Sequence, residues 1–266
     1  MEIINAHAHI YPAKIAEKAT VAIGDFYDIK MENPAGTAEN LIKSGNQIGV
    51  SRYLVHSCAT KATQVRPINE FIKKEVDEHS EFIGFMTLHE DMSEKEISEE
   101  INWALESGFH GIKLHPDFQK FHVDAENAEK IYRAVAETSK IFPILLHMGD
   151  DRYDFSEPER LVKMAQKYPS VTFIAAHFGG YRCWHKSEVY KGLDNVYFDT
   201  SSSLAFITPE KAKEIIDLLG YEKFFFGDDF PMWDAKGEFE RFCKIPLTER
   251  EKECILSTNV KNLLKL

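Results

Sequence analysis

The sequence predicts an α/β fold in which eight parallel strands close into a (β/α)8 barrel, the TIM barrel. Eight short apolar runs alternate with amphipathic segments of helical length almost to the C-terminus, which is the pattern of repeated βαβ units. The length of 266 residues is typical of one such barrel. No Gly-rich phosphate-binding loop follows the first run, as an open nucleotide-binding sheet would require. We therefore expect one barrel domain over residues 1–266.

Each apolar run is interpreted as a buried strand, and each amphipathic stretch as a helix that follows it. The predicted strands are 3–9, 52–56, 82–88, 111–115, 141–147, 171–177, 196–200 and 224–228. The predicted helices are 68–79, 94–107, 125–139, 158–168, 209–219 and 236–243, with two short helices in 250–266. Ser93 and Glu96 form a capping box at the start of the second helix. Residues 11–38 are predicted to form a long loop on the active face.

The composition excludes several classes of function. A net charge of −11 disfavours binding to nucleic acid, because an acidic surface repels phosphates; it does not exclude a pocket for a small anion. No run reaches the length of a membrane span, and no secretory signal pattern is visible. The four cysteines are scattered without a Cys-x-x-Cys pair, which indicates reduced thiols. We therefore expect a cytoplasmic protein that acts on a small molecule.

Metal-ligand side chains occur where four of the predicted strands end. His7 and His9 end the first strand and point to the same side, because alternate strand residues share a face. His147 and His177 end the fifth and sixth strands, and Asp229 follows the eighth. The carboxyl ends of barrel strands meet at one face. Three imidazoles and the carboxylate could therefore hold a divalent metal, expected to be zinc, and leave a fourth imidazole to move protons.

Taken one at a time, these residues have other interpretations. A single histidine after a buried strand, as at His147, is often a satisfied side chain at the edge of the core. Asp229 lies close to an apolar run, where a carboxylate needs a partner such as a metal, but its neighbour Asp228 competes for that role. Strand alternation allows only one of the two to face the mouth of the barrel.

In their order along the chain, these residues resemble the amidohydrolase superfamily of metal-dependent hydrolases. That family carries His-x-His on strand 1, a histidine on strand 5, another on strand 6, and an aspartate on strand 8. Further motifs resemble the branch that includes aminocarboxymuconate semialdehyde decarboxylase and resorcylate decarboxylase. These motifs are His9-Ile10-Tyr11-Pro12, Gly111-Ile112-Lys113-Leu114-His115-Pro116, His177-Phe178-Gly179-Gly180, Gly227-Asp228-Asp229-Phe230-Pro231 and Asn259-Val260-Lys261-Asn262-Leu263-Leu264. Asn5 departs from the pattern, since the family often has an aspartate before the paired histidines.

The resemblance implies one divalent metal held by His7, His9, His147 and Asp229, since the family's strand-8 motif makes Asp229 the equivalent acid. The resulting prediction is a hydrolase of a small-molecule amide, lactone or ester-like bond, in which the metal lowers the pKa of a bound water and the resulting hydroxide attacks. Asp229 would take the proton of that water and pass it to the leaving group. His177 would polarise the substrate carbonyl or stabilise the developing oxyanion.

Two alternative functions compete with the hydrolase. The first is a metal-dependent decarboxylase of an aromatic or muconate-type carboxylic acid, because the same ligands would bind a substrate carboxylate and the resembling branch contains decarboxylases. The second belongs to a different class: a non-catalytic binding protein that has kept the barrel, since function lies in sites rather than folds. That alternative predicts the loss of at least one ligand, and no ligand position of the family pattern is missing.

Substrate-binding residues are also predicted. Lys113 and His115 share a face of the fourth strand, and Arg182 follows the sixth; Lys113 or Arg182 would orient an anionic substituent of the substrate. Lys113 has an alternative role as a carboxylated lysine that bridges two metals, as in some superfamily members. His56 and His89 also end apolar runs, and the sequence assigns them no role. Homo-oligomers are common on this fold, but the sequence shows no interface signal.

Overall fold

The computed structural model describes all 266 residues, and its strands follow one another in chain order in an eight-stranded sheet. The pairings of β1 with β2 and of each successive strand from β3 to β7 are parallel. The strands are β1 Ile3–His9, β2 Val50–His56, β3 Phe82–Thr87, β4 Gly111–Leu114, β5 Ile144–Leu146, β6 Phe173–Ala175, β7 Val196–Asp199 and β8 Phe224–Phe225. All eight lie within or overlap the predicted runs, in the predicted order.

The six longer predicted helices and the two short ones near the C-terminus are present to within a few residues, whereas three further helices, after β1 and β4, were not predicted. The helices are α1 Ala13–Tyr27, α2 Ala38–Gly45, α3 Val65–Glu78, α4 Glu94–Glu106, α5 Pro116–Gln119, α6 Glu126–Ala136, α7 Pro158–Lys167, α8 Pro209–Leu219, α9 Ala235–Cys243, α10 Glu249–Glu253 and α11 Asn259–Leu264. The capping box at α4 is confirmed: Ser93 accepts from the Glu96 amide, and the Glu96 carboxylate accepts from the Ser93 amide at 2.8 Å. No helix combines the length and the apolar composition that crossing a membrane requires.

The prediction of a loop over residues 11–38 is wrong, because helix α1 occupies Ala13–Tyr27. The buried positions of α1 are Ala16, Thr20 and Gly24, which recur every four residues but are all small. A helix that packs through small residues shows no stripe of large apolar side chains, which is the signal that identifies an amphipathic helix. Its larger apolar residues Ile15 and Val21 are exposed, so the pattern is further obscured.

Contacts divide the chain into two compact units, each made of separate segments. The first unit contains Met1–Ser57, Glu75–Ile83 and Thr200–Leu266, and the second contains Cys58–Lys74 and Gly84–Asp199. One domain over residues 1–266 therefore stays a prediction. The first unit includes β1, β2 and β8, and the second includes β4 to β7. All four cysteines are free thiols.

Strand ends in both units depart from the predicted runs in the same way. Strand β5 ends at Leu146, β6 at Ala175 and β8 at Phe225, so the ligand-type residues predicted after them lie just beyond the strands. His177 and Asp229 have φ angles of 63° and 57°, in the left-handed region that non-glycine residues seldom adopt. The chain therefore turns sharply where these side chains are placed, a conformation that clusters at functional sites.

Candidate active site

Strand β1 places two histidines side by side in the first unit. His7 and His9 are buried, with 0% and 7% of their surface exposed, and their ring centroids are 5.5 Å apart. A strand alternates its side chains, so residues two apart project from one face. The structure therefore brings the predicted His-x-His pair together in the way that a shared ion requires.

Asp229 joins this pair because the segment after β8 is hydrogen-bonded along β1. The Asp229 amide donates to the His7 carbonyl at 2.9 Å, and the His9 amide donates to the Phe230 carbonyl at 2.8 Å. Gly227 allows this approach, since a Cβ there would lie 2.8 Å from His7 Cβ. The Asp229 carboxylate oxygen Oδ1 lies 3.3 Å from His7 Nε2 and 3.5 Å from His9 Nε2.

These separations fit two ligands on one metal ion better than they fit hydrogen bonds. Nitrogen and oxygen ligands about 2.1 Å from an ion with tetrahedral angles lie roughly 3.4 Å from each other. An N–H···O hydrogen bond is shorter, usually about 2.9–3.0 Å. Two imidazoles and a carboxylate form a donor set that binds several divalent transition metals. His7, His9 and Asp229 therefore fit a single divalent ion.

Asp228 has a different environment from its neighbour. Its side chain accepts from the Phe230 amide at 2.9 Å, and its own amide donates to Asn5 Oδ1 at 3.3 Å. Burial raises the pKa of the Asp228 carboxyl to about 7, opposed by its hydrogen bonds. Asp229 therefore lies beside His7 and His9, whereas Asp228 stabilises the turn that contains Asp229 by accepting from the Phe230 amide.

His56 is a neighbour of the pair to which the sequence assigned no role. It is fully buried at the end of β2 and is the register partner of His9. Its ring centroid lies 4.9 Å from that of His7 and 4.3 Å from that of His9. His7, His9 and His56 each offer a nitrogen, and these atoms lie within 4.8 Å of one another. The sequence feature that could have identified His56 is its position at the end of a strand, which it shares with the predicted ligands.

The second unit contains a pair of hydrogen-bonded histidines, His147 and His177. His147 Nε2 lies 2.9 Å from the carbonyl oxygen of Gly149, which can only accept, so Nε2 carries the proton. His147 Nδ1 is therefore the acceptor in its 2.9 Å contact with His177 Nε2. A histidine that binds metal commonly donates its other ring N–H to a backbone carbonyl. A neutral His147 thus has its one ring lone pair at Nδ1, the atom that contacts His177.

The backbone holds His177 in its strained conformation from two sides. Its amide donates to Asp199 Oδ1 at 3.0 Å, and its carbonyl accepts from the Trp184 indole at 3.1 Å. Trp184 lies in the segment after β6. The hydrogen bond from its indole stabilises the turn that contains His177.

His115 and Asp117 lie beside His147 but do not form a metal site with it. One ligand atom from each of the three lies within 4.8 Å of the others. The His115 and His147 rings, however, are stacked with centroids 4.0 Å apart and planes at 10°. Ring lone pairs lie in the ring planes, and nearly parallel planes cannot converge on one ion about 2.1 Å away. Burial raises the pKa of Asp117 to about 7, opposed by a hydrogen bond from Ser156.

The three predicted substrate contacts lie in different settings within the second unit. Lys113 is fully buried in β4, where its carbonyl accepts from the Thr87 hydroxyl at 3.0 Å. His115 is sandwiched between Phe118 and His147. Arg182 is exposed, and its guanidinium carbon lies 5.3 Å above the Tyr181 ring. Their roles toward a substrate stay predictions.

We expect the protein to bind close to one equivalent of divalent metal and to lose most of it in the His7→Ala/His9→Ala double variant. The fold should survive, because the stability of this fold rests on core layers rather than on strand-end side chains. Metal content by elemental analysis, with circular dichroism as the test of folding, measures both effects. His89→Ala is the matched control, a buried histidine without a predicted ligand role. Full metal occupancy in the double variant would disprove the assignment.

The chain resembles known proteins in sequence family and in fold. The amidohydrolase family model matches residues 4–266, whereas no curated protein matches the chain. The structure of 2,6-dihydroxybenzoate decarboxylase complexed with 2,6-dihydroxybenzoate is 15% identical, with a TM-score of 0.77 over 100% of both chains. A 5-carboxyvanillate decarboxylase from Novosphingobium aromaticivorans, complexed with manganese and 4-hydroxy-3-methoxy-5-nitrobenzoic acid, is 17% identical, with a TM-score of 0.75 over 100% of this chain and 96% of that chain.

A third structure bears directly on the fold. An uncharacterised TIM-barrel protein from Bordetella bronchiseptica is 15% identical, with a TM-score of 0.80 over 100% of this chain and 99% of that chain. At such identities the likeness shows the fold alone. The predicted fold class, a (β/α)8 TIM barrel, is therefore confirmed.

Proposed function

Because the chain belongs to the amidohydrolase family, we propose that it is a metal-dependent decarboxylase of a small aromatic or muconate-type carboxylic acid. The solved structures that it resembles over its whole length include decarboxylases of hydroxybenzoic and carboxyvanillic acids. The sequence alone favoured hydrolysis and kept decarboxylation as the alternative. The comparisons support that alternative better, and they leave the general assignment to a metal-dependent enzyme family unchanged.

The observation in this chain that supports the proposal is that both oxygens of the Asp229 carboxylate have partners. Its Oδ1 faces His7 and His9, and its Oδ2 accepts a 2.5 Å hydrogen bond from the Ser202 hydroxyl. The hydrolytic mechanism needs a carboxylate oxygen of Asp229 to take up the proton of a water. Decarboxylation requires no such step, so a carboxylate with both oxygens engaged suits it better.

In the proposed reaction, the bond between the carboxylate and its carbon breaks, carbon dioxide leaves, and that carbon receives a proton. When bound, the divalent ion would supply a positive charge that anchors the substrate carboxylate and a neighbouring oxygen. His7, His9 and Asp229 would hold the ion, with His147 as the further ligand that the sequence predicts. When His147 Nδ1 ligates the ion, it no longer accepts from His177 Nε2, and His177 would hold at Nε2 the proton that the reaction consumes.

An anionic substrate needs cationic or hydrogen-bonding partners in a protein with a net charge of −11. We retain Lys113, His115 and Arg182 as the proposed substrate contacts, because lysine and arginine bind carboxylates by charge-assisted hydrogen bonds. For the metal, the sequence suggested zinc, whereas manganese is bound in a solved decarboxylase structure that the chain resembles. Both ions accept imidazole and carboxylate ligands, so both should be supplied in any assay.

The test is a comparison of two substrate panels with the metal-loaded protein. We expect carbon dioxide release from hydroxybenzoic or muconate-type acids, and no acid release from lactones or amides. The Asp229→Asn variant is the matched control for contaminating activity. Acid release from a lactone or amide without carbon dioxide would restore the hydrolase. A wild-type protein that binds metal and one of these acids but turns over neither panel would favour the non-catalytic binding protein.

A further inference from the structure

We propose that Ser201 and Ser202 are positioning residues that determine which atoms of His7 and Asp229 are offered to the metal. The proposal rests on the metal-dependent function proposed above. Both serines follow β7 in a run of three, and 0% and 2% of their surfaces are exposed. Polar side chains buried this deeply are expensive unless their hydrogen bonds are made. Each of the two forms a hydrogen bond with a different member of the candidate metal centre.

Ser202 fixes the orientation of the Asp229 carboxylate. Its hydroxyl donates to Asp229 Oδ2 at 2.5 Å and accepts from the Trp233 indole N–H at 3.0 Å. The indole nitrogen can only donate, so it directs the serine proton toward Asp229. With Oδ2 held in this way, Oδ1 is the oxygen left facing His7 and His9. Ser202 thus makes Asp229 a ligand through one defined oxygen.

Ser202 makes its hydrogen bond to Asp229 from a backbone conformation that serine seldom adopts. Its φ angle is 51°, in the left-handed region that glycine adopts readily and other residues seldom do. A glycine would therefore suit the backbone at this position better than serine does. The strained serine places its hydroxyl between the Trp233 indole and the Asp229 carboxylate.

Ser201 acts in the same way on His7. Its hydroxyl lies 3.2 Å from His7 Nδ1, whereas His7 Nε2 is the nitrogen that faces Asp229. A histidine ligand needs a lone pair on the coordinating nitrogen, and its other nitrogen then carries a proton that requires an acceptor. The Ser201 oxygen can accept that proton, so Ser201 supports the tautomer in which Nε2 is the ligand atom.

The third serine of the run provides the matched control. Ser203 is also fully buried, and its hydroxyl donates to the Ser201 carbonyl at 3.0 Å. That hydrogen bond ends on the backbone of Ser201 rather than on His7 or Asp229. Loss of the Ser203 hydroxyl therefore tests whether disturbance of the loop alone affects the metal.

The experiment measures the affinity for Mn²⁺ by titration, with free Mn²⁺ followed by electron paramagnetic resonance, and the melting temperature of the metal-free protein. We expect Ser202→Gly and Ser201→Ala to weaken Mn²⁺ binding about 10–100-fold, the usual effect of removing a hydrogen-bond partner of a metal ligand. Ser202→Gly should melt at or above the wild-type temperature, because glycine relieves the left-handed backbone. Ser203→Ala should bind Mn²⁺ as the wild type does. Trp233→Phe, which keeps an aromatic ring but lacks the N–H, should weaken binding less than Ser202→Gly.

The outcomes distinguish this proposal from the proposed function. A Ser202→Gly variant with wild-type affinity for Mn²⁺ would overturn the positioning role while leaving the metal-dependent function standing. Equal weakening by Ser203→Ala and Ser202→Gly would also overturn it, since the effect would then belong to the loop as a whole. A wild-type protein that binds no Mn²⁺ or Zn²⁺ would instead refute the metal-dependent function, and this proposal with it.

Discussion

Replacement of Asp229 by asparagine is expected to lower turnover by several orders of magnitude. Asparagine has nearly the same shape and tolerates the left-handed φ of 57° at this position, so the turn should be preserved. Its side chain, however, has one acceptor oxygen and no charge. If that oxygen accepts from Ser202, the amide N–H₂ group faces His7 and His9 and would oppose a bound cation. Turnover of the best substrate, measured together with metal content, reports the effect.

Asp228→Asn is the matched control for this prediction and should have a milder effect. Asp228 contributes an acceptor for the Phe230 amide, and the asparagine side-chain oxygen can accept the same hydrogen bond. Its carboxylate does not take part in the contacts that join Asp229 to His7 and His9. The reverse ranking of the two variants would mean that the acid facing the metal has been assigned to the wrong residue.

The sequence predicted the strands well because their signal is local. Most strands of this sheet are short, nearly continuous apolar runs, the sequence pattern of strands that are buried on both faces. Some predicted strands are longer than the observed ones. At β8 the prediction included Asp228, but the strand ends at Phe225. The residues after Phe225 leave the strand so that Asp229 can reach β1. A period-2 pattern contains no information about such a turn.

The candidate site was predictable only in part, and for a related reason. His7 and His9 follow from strand alternation, and Asp229 was preferred to Asp228 from the family motif. Nothing in the sequence places Ser202 against Asp229, because that contact joins residues 27 positions apart through a turn. The stacking of His115 on His147 likewise depends on how the ends of neighbouring strands turn. Contacts of this kind arise from loop conformation, which hydrophobic periodicity does not encode.

His177→Asn is expected to abolish most of kcat while leaving metal content nearly unchanged. His7, His9, His147 and Asp229 already supply four predicted ligands, and a catalytic metal needs a position open to the substrate. His177 would therefore act on the substrate, as the group that holds the proton. Asparagine suits the left-handed φ of 63°, but its amide is shorter than the imidazole and has no ring nitrogen to exchange a proton. The fold and the metal should survive, and the chemical step should not.

Measurement of kcat and of metal equivalents on the same preparation of His177→Asn separates the two roles that this residue can have. Loss of metal in proportion to activity would make His177 a ligand, and five protein ligands would crowd a single open ion. A site with two metals would then become the better description. Lys113 would be the residue to examine for carboxylation, because a carboxylated lysine at the end of the fourth strand is the group that bridges two metals in some members of the superfamily. Mass spectrometry of the native protein for one added carbon dioxide would decide between one metal and two.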